Sequence, residues 1–283
     1  MLRTFQGADA TVLACHVVGA GAPLVCVPGG PMQASGYLGE LGGLSAHHQL
    51  MLFDLRGTGA SETPVDPESY RCDRLVDDLE ALRRHLGVDQ VRLLAHSAGA
   101  NLAVLYAARH PERVDSLVLV TPSSFAVGLE ISSRHRRELV ELRRAEPWYA
   151  EAALAFAAVA AGRAGAVDWE AITPFTYGRW DDAARAHHEL GEAQRNDEAA
   201  AIFGSPGAYD PPRARAALST LQAPVLIVAG EVDVGAPPRV MADYADLFPH
   251  GSLRIQPGAG HFPWLDDPEA FRSSVDTFLA RRG

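Results

Sequence analysis

The chain has 283 residues, 47% of them hydrophobic, and a formal net charge of −10. That length and apolar content allow one large buried core or two smaller ones. The net negative charge disfavours binding to phosphate backbones and to anionic bilayers, because both attract clustered positive charge. Neither nucleic acid nor a membrane is therefore expected as a partner.

Residue usage narrows the chemistry further. All 25 basic residues are arginine, which excludes Schiff-base chemistry, a lysine general base and a P-loop lysine. Cys15, Cys26 and Cys72 lack CxxC spacing, and the first two lie in apolar stretches, so we expect buried free thiols and a reducing cytoplasm. No apolar segment typical of a signal peptide follows residues 1–7, and the alanine-rich stretch 150–167 is interpreted as a helix packed on protein.

The first apolar runs, residues 11–18 and 24–27, are separated by a glycine-rich turn and predict a β-hairpin. Short β-branched or leucine-rich runs then recur, and helix-length amphipathic segments separate most of them. These runs are residues 49–53, 91–95, 116–121, 224–229 and 252–256. Such alternation predicts a mostly parallel sheet with helices on both faces.

Two helices have clear boundaries in the sequence. Residues 73–86 carry leucine and valine at helical spacing, and Gly87 is placed to end the helix. The last helix is predicted to begin after Asp267, with Pro268 at its first position, and to run to Arg281.

The interval 125–218 breaks the alternation, because it contains helical stretches and no convincing strand. We predict a helical cap there, inserted into a core made of residues 1–124 and 219–283. Three of the four tryptophans fall in this interval. These tryptophans suit either the packed interior of a cap or an apolar roof over a substrate. Trp148 and Trp180 are the candidate substrate contacts.

Ser97 lies between an apolar run and a helical stretch, in Ala95-His96-Ser97-Ala98-Gly99. A serine at a strand-to-helix turn exposes its hydroxyl at the carboxyl end of the sheet, and the strained turn requires small neighbours. Alanine replaces the first glycine of the G-x-S-x-G pattern but is still small. The segment therefore predicts a nucleophile.

A serine hydroxyl needs a base, and the base needs a carboxylate to orient it. Asp233 and His261 each follow a predicted strand, where open α/β sheets collect their sites. The chain order of Ser97, Asp233 and His261 is that of an α/β-hydrolase triad. Glu231 is a rival for the orienting carboxylate.

Backbone N–H groups must also face the developing oxyanion. Ala98 follows the nucleophile directly, and Gly30 lies in a loop just after a predicted strand. These two residues are the predicted donors, since Pro31 has no N–H. The bond from Gly30 to Pro31 is a candidate cis peptide.

The remaining polar motifs are interpreted as structural. Residues 54–61 contain two glycines but no lysine, so we expect Asp54 and Arg56 to hold neighbouring turns rather than substrate. The histidine pairs at 47–48 and 187–188 lack zinc-ligand spacing. Neither a metal nor a cofactor is expected.

Three segments together resemble the α/β-hydrolase superfamily, and within it the proline iminopeptidase group of serine peptidases. Pro28-Gly29-Gly30-Pro31 stands where that group has His-Gly-Gly-Pro-Gly, residues 53–61 match its Asp-x-Arg-Gly-x-Gly-x-Ser loop, and Gly260-His261-Phe262-Pro263 matches its histidine loop. The resemblance covers essentially the whole chain. It implies the α/β-hydrolase fold, with an eight-stranded, mostly parallel sheet and a helical cap after the sixth strand.

The resemblance also leaves three functions open. The first is an aminopeptidase that releases an N-terminal proline or small residue from a short peptide. Its free amine calls for cap carboxylates, and Glu189 and Glu192 are the candidates in the acidic segment 179–198. The second is a carboxylesterase, thioesterase or lactonase for a small apolar acyl substrate, favoured because Ala-His-Ser-Ala-Gly replaces the group's Gly-Gly-Ser-Trp-Gly. The third is a ligand-binding protein without catalysis.

Overall fold

The computed structural model describes residues 1–280 and contains one eight-stranded sheet with strand order β1-β2-β4-β3-β5-β6-β7-β8. The strands are β1 Leu2–Gln6, β2 Val12–Val18, β3 Pro23–Val27, β4 Gln49–Asp54, β5 Val91–His96, β6 Val114–Val120, β7 Val225–Gly230 and β8 Gly251–Gln256. The β1·β2 and β2·β4 pairs are antiparallel, and all other pairs are parallel. The predicted mostly parallel, eight-stranded sheet is confirmed.

The predicted hairpin of the first two apolar runs is wrong, because β4 lies between β2 and β3. Cys15 of β2 pairs with Phe53 of β4, and β3 pairs in parallel with β4 and β5. The glycine-rich turn would suit a hairpin locally, but β3 is almost entirely buried and takes an interior position with a strand on each side. The true hairpin partner of β2 is β1, which sequence patterning missed because only Phe5 of that strand is buried.

The helices are α1 Cys72–Leu86, α2 Gly99–Arg109, α3 Ser133–Leu142, α4 Tyr149–Ala160, α5 Ala166–Ala171, α6 Asp182–Ala193, α7 Asp197–Phe203, α8 Pro211–Leu218, α9 Pro238–Ala245, α10 Pro263–Asp266 and α11 Pro268–Leu279. Helix α1 ends at Gly87, whose φ of 67° suits glycine. Helix α11 starts on Asp267, whose side chain accepts from the Ala270 N–H. The predicted last residue, Arg281, lies outside the described residues.

Alternate side chains of the central strands enter two apolar clusters on opposite faces of the sheet. In β5, Leu93 joins the cluster that includes residues of α1, α2 and α9, whereas Leu94 joins the cluster that includes Phe271 and Val275 of α11. The faces of the sheet are thus covered by helices, as parallel sheets require. None of the helices within residues 1–280 is long and apolar enough to cross a bilayer.

The segment between β6 and β7 carries α3 to α8. Its first part has a small apolar cluster of its own, built on Val140, Ala152, Phe156 and Phe175. Its last part is different, since Phe203 of α7 and Leu218 of α8 belong to the main core. The cap limits of 125 and 218 stay a prediction, and α7 and α8 pack as part of the main body.

Candidate active site

Ser97 occupies the turn between β5 and α2 in a strained backbone conformation. Its φ is 50°, which is uncommon for a residue with a side chain. The turn is held from the neighbouring strand, because the Ser97 N–H donates to the Val120 carbonyl and the Ser97 carbonyl accepts from the Ser123 N–H, both at 3.0 Å. Strain of this kind is characteristic of functional turns, where it presents the side chain outward.

Two glycines allow the surrounding loops to approach this turn. A Cβ on Gly29 would lie 2.9 Å from the Ser97 Cβ, and a Cβ on Gly99 would collide with the Pro28 carbonyl oxygen. The loop after β3 therefore packs directly on the turn after β5. This contact brings the loop of Gly30 beside Ser97.

The predicted triad residues form a continuous hydrogen-bonded relay. His261 Nε2 lies 2.8 Å from Ser97 Oγ, and His261 Nδ1 lies 2.8 Å from Asp233 Oδ2. A carboxylate can only accept, so Nδ1 carries the proton and Nε2 is free to accept from the serine hydroxyl. Asp233 is fully buried, and its other oxygen accepts from the Gly235 N–H at 2.7 Å.

Glu231, the rival carboxylate, has a different partner. Its side chain accepts from the Gly258 N–H at 2.8 Å and so braces the turn after β8. The geometry thus brings Asp233, and not Glu231, to His261.

The predicted oxyanion residues flank the serine. Gly30 has a φ of 114°, precedes a cis peptide bond to Pro31, and lines the same pocket as Ser97. Ala98 is the first residue after Ser97 and is buried at the start of α2. Their role as N–H donors to an oxyanion stays a prediction.

A second set of buried polar groups, which sequence analysis missed, surrounds His261. His96 Nε2 lies 3.0 Å from the His261 carbonyl oxygen, and His96 Nδ1 lies 2.7 Å from the Tyr37 hydroxyl. That hydroxyl also accepts from the Gly29 N–H at 2.7 Å. Burial is the main reason that the pKa of His96 is held well below its usual value, and the neighbouring His261 lowers it further.

The backbone of His261 is fixed from opposite sides. Its carbonyl accepts from Thr121 Oγ1 at 2.9 Å, in addition to His96. Its N–H donates to the Thr176 carbonyl at 2.7 Å, a residue of the helical segment between β6 and β7. The helical segment therefore helps to place the histidine loop.

A pocket of about 220 Å³ opens beside the relay, and we call it the histidine pocket. Its walls are mostly polar side chains from the histidine loop and the helical segment. They are Gly30, Gln33, His96, Ser97, Thr173, Thr176, Tyr177, His187, His188, Gly191, Glu192, His261 and Phe262. His187 and His188, adjacent in the acidic segment 179–198, are the sequence feature that indicates this pocket.

The predicted substrate contacts divide between this pocket and its surroundings. Glu192 lines the histidine pocket, whereas Glu189 is exposed on the same helix and is not among the lining residues of the described chain. Trp180 packs on Tyr177 behind the wall, with ring centroids 5.3 Å apart. Trp148 packs against Phe175 in the small cap cluster, under the Arg143 guanidinium.

A second pocket, of about 400 Å³, is lined by Ala98, the residue that follows Ser97, and we call it the Phe125 pocket. Its walls are largely apolar. They are Pro31, Ala98, Asn101, Ser123, Phe125, Ala200, Ala201, Phe203, Gly204 and Tyr209. The two pockets share no lining residue within residues 1–280. Two pairs of consecutive residues are split between them, because Gly30 and Ser97 line the histidine pocket whereas Pro31 and Ala98 line the Phe125 pocket.

The glycine-containing loop after β4 is structural, as its sequence predicts. Asp54 accepts from the Ser35 N–H at 2.8 Å and from the Ala60 N–H at 2.9 Å. Arg56 is buried and pairs with Asp78 at 2.6 Å and Asp9 at 2.8 Å. In the described residues no group of three or more His, Cys, Asp or Glu side chains is arranged to hold a metal ion.

Comparison with known proteins agrees with this architecture. The sequence pattern of the alpha/beta hydrolase fold matches residues 22–268. The chain is 24% identical over 273 residues to a proline iminopeptidase of Heyndrickxia coagulans, an alignment that covers 92% of this chain and 91% of the relative.

Solved structures show the same fold. A proline iminopeptidase of Mycobacterium smegmatis superposes with a TM-score of 0.76 at 24% identity, covering 99% of this chain and 98% of that one. An esterase from Rhodococcus sp. superposes with a TM-score of 0.70 at 26% identity, covering 100% and 99%. The peptidase and the esterase are thus similar to this chain to about the same degree.

Proposed function

The chain belongs to the alpha/beta hydrolase fold family and is a serine hydrolase, and on that premise we propose that it cleaves carboxylic esters with an apolar acyl group. The relay from Ser97 through His261 to Asp233 supports acyl transfer. The observation that favours an ester over a peptide substrate is the scarcity of carboxylates on the walls of the two pockets. Glu192 is the only carboxylate residue that lines either pocket within residues 1–280, and it is exposed to solvent.

The proposed reaction proceeds through an acyl-enzyme. Ser97 Oγ attacks the ester carbonyl carbon while His261 Nε2 takes the hydroxyl proton, and Asp233 keeps the imidazole in the required tautomer. The N–H groups of Gly30 and Ala98 hold the oxyanion. His261 then gives its proton to the departing alkoxide, which leaves as the alcohol. A water molecule, deprotonated by His261, attacks the acyl-enzyme, and the carboxylic acid is released as Ser97 regains its proton.

An aminopeptidase would have a stricter electrostatic requirement. The positively charged amine of its substrate sits one carbon from the scissile carbonyl, so the site must supply a well-placed negative charge. An exposed carboxylate contributes little to such a pair, because water screens the attraction. The apolar Phe125 pocket supplies no charged side chain within the described chain.

The aminopeptidase predicted from the sequence is the second candidate, and two observations favour it. Glu192 lines the same pocket as Ser97 and would be the amine anchor. In addition, the relative from Heyndrickxia coagulans is named proline iminopeptidase. Both candidates use the same relay and differ in the group that recognises the substrate.

A pair of esters with one leaving group separates the candidates. The 4-nitrophenyl esters of proline and of cyclopentanecarboxylic acid have rings of similar size, and only the first has an amine. We expect kcat/KM for the cyclopentane ester to equal or exceed that for the prolyl ester. A preference of tenfold or more for the prolyl ester would contradict the proposal, and its loss in Glu192→Gln but not in the control Glu189→Gln would establish the aminopeptidase.

A further inference from the structure

The Phe125 pocket is separated from the histidine pocket by two dipeptides of the proposed catalytic machinery. Gly30 and Ser97 line the histidine pocket, whereas the residues that follow them, Pro31 and Ala98, line the Phe125 pocket. A substrate carbonyl held between Gly30 and Ala98 would therefore have one pocket on each side. The Phe125 pocket is adjacent to the reacting carbon and is not a remote cleft.

The walls of this pocket are suited to a hydrocarbon group. Phe125 and Tyr209 stack with an interplanar angle of 12° and ring centroids 6.4 Å apart, and Phe203 is buried behind them. Phe125 itself is 71% exposed, and it lines the Phe125 pocket together with Tyr209 and Phe203. An apolar ligand would remove this surface from water.

One polar group in the wall lacks a partner. Asn101 is 1% exposed, and its Oδ1 accepts from the Ala126 N–H at 2.9 Å, which fixes the orientation of the amide. Its Nδ2 has no hydrogen-bond partner among residues 1–280. Unpaired buried donors are rare in folded proteins.

The position of His261 decides which half of the substrate lies on which side. The histidine must pass a proton to the leaving group, so the leaving group belongs in the pocket that His261 lines. His261 lines the histidine pocket and is not among the described residues of the Phe125 pocket. The acyl group, which stays on Ser97, is then directed toward Ala98 and Pro31.

We propose that the Phe125 pocket is the acyl site and that it selects esters of apolar acids longer than acetate. This assignment rests on the proposed ester hydrolysis. The polar histidine pocket, with about 220 Å³, takes the alcohol, and the larger apolar pocket, with about 400 Å³, takes the acid.

The test varies the acyl chain while the leaving group stays constant. The ratio of kcat/KM for 4-nitrophenyl hexanoate to that for 4-nitrophenyl acetate measures acyl selection. We expect about tenfold or more in favour of hexanoate, in line with the worth of added methylenes in an apolar pocket. Ala201→Phe, which places a ring in the pocket mouth, should lower the ratio about tenfold. The matched control Ala183→Phe, on an exposed helix position outside both pockets, should leave it unchanged.

A second variant guards against a folding defect. Phe125→Ala removes an exposed ring and should lower the ratio several-fold, whereas Leu154→Ala, at a similarly exposed position of α4, should not. A wild-type ratio near one, or a ratio unmoved by both pocket variants, would overturn the acyl site while ester hydrolysis itself stood. An enzyme that cleaves no ester at all would overturn the proposed function, and the acyl site with it.

Discussion

The imidazole of His96 donates a hydrogen bond of 3.0 Å to the backbone carbonyl of His261. The direction is fixed, because a carbonyl can only accept. His96 Nδ1 must then accept, and its partner at 2.7 Å is the Tyr37 hydroxyl, whose oxygen accepts from the Gly29 N–H. An ordered chain of donors thus ties the loop of Gly30 to the loop of His261. Because the pKa of His96 is lowered by burial, the imidazole stays neutral and the chain stays intact.

The series of hydrogen bonds from Gly29 through Tyr37 and His96 predicts that Tyr37 positions His261 without touching substrate. Tyr37→Phe leaves the Gly29 N–H and His96 Nδ1 without partners in a buried place, which costs about 1–3 kcal/mol for each group. We expect kcat to fall about tenfold and KM to change little, as measured by steady-state ester hydrolysis.

The control is Tyr106→Phe, which also removes a buried hydroxyl. That hydroxyl donates to Glu80 of α1 at 2.9 Å, and Tyr106 is not among the described residues that line either pocket. Both variants should lose thermal stability, but only Tyr37→Phe should lose kcat. Equal kcat values for the two variants would show that Tyr37 has only a structural role.

Asp233 is predicted to orient His261 through its tautomer. In Asp233→Asn, an amide N–H can face Nδ1 and favour the tautomer in which Nε2 carries the proton and cannot act as base. The expected loss in kcat is about 10³- to 10⁴-fold. Glu231→Gln, two residues away, should stay close to the wild-type kcat. A large loss in Glu231→Gln, with Asp233→Asn active, would reassign the carboxylate.

Glu80 predicts how stability changes with pH. Hydrogen bonds from Arg83 are the main reason that its pKa is lowered to about 2, against the opposing effect of burial. A folded-state pKa below the unfolded value means that Glu80 adds stability above about pH 4.5, and that this stability is lost as pH falls toward 2. Glu80→Gln should therefore unfold at lower urea concentration than the wild type at pH 7, with a smaller gap at pH 3. A gap that stays constant would contradict this role.

The three residues of the hydrogen-bonded relay could be predicted from sequence because each follows a recognisable strand. Parallel strands end at the same edge of the sheet, so Ser97, Asp233 and His261 were expected to meet there, and the structure brings them together at 2.8 Å contacts. The order of strands was harder to predict. The turn between β2 and β3 does not indicate that β4 lies between these two strands. The order of strands depends on how the whole sheet buries its apolar residues, which a local turn does not show.

The surroundings of the site depended on contacts between distant residues. Tyr37 and His96 are 59 positions apart in sequence, and no local pattern links them. Within α6, helix phase decided which carboxylate faces the pocket, so that Glu192 lines it and Glu189 does not. Trp148, a predicted substrate contact, packs against the small cap cluster, which is formed by residues far apart in sequence.

Covalent labelling tests the central claim most directly. A fluorophosphonate reacts with a serine that is activated by a base, and peptide mass spectrometry then locates the adduct. We predict a single adduct on Ser97 in the wild type, with neither adduct nor ester hydrolysis above background in a folded Ser97→Ala variant. An adduct on another serine, or a Ser97→Ala variant with near-normal turnover, would contradict the assignment of Ser97 as the nucleophile.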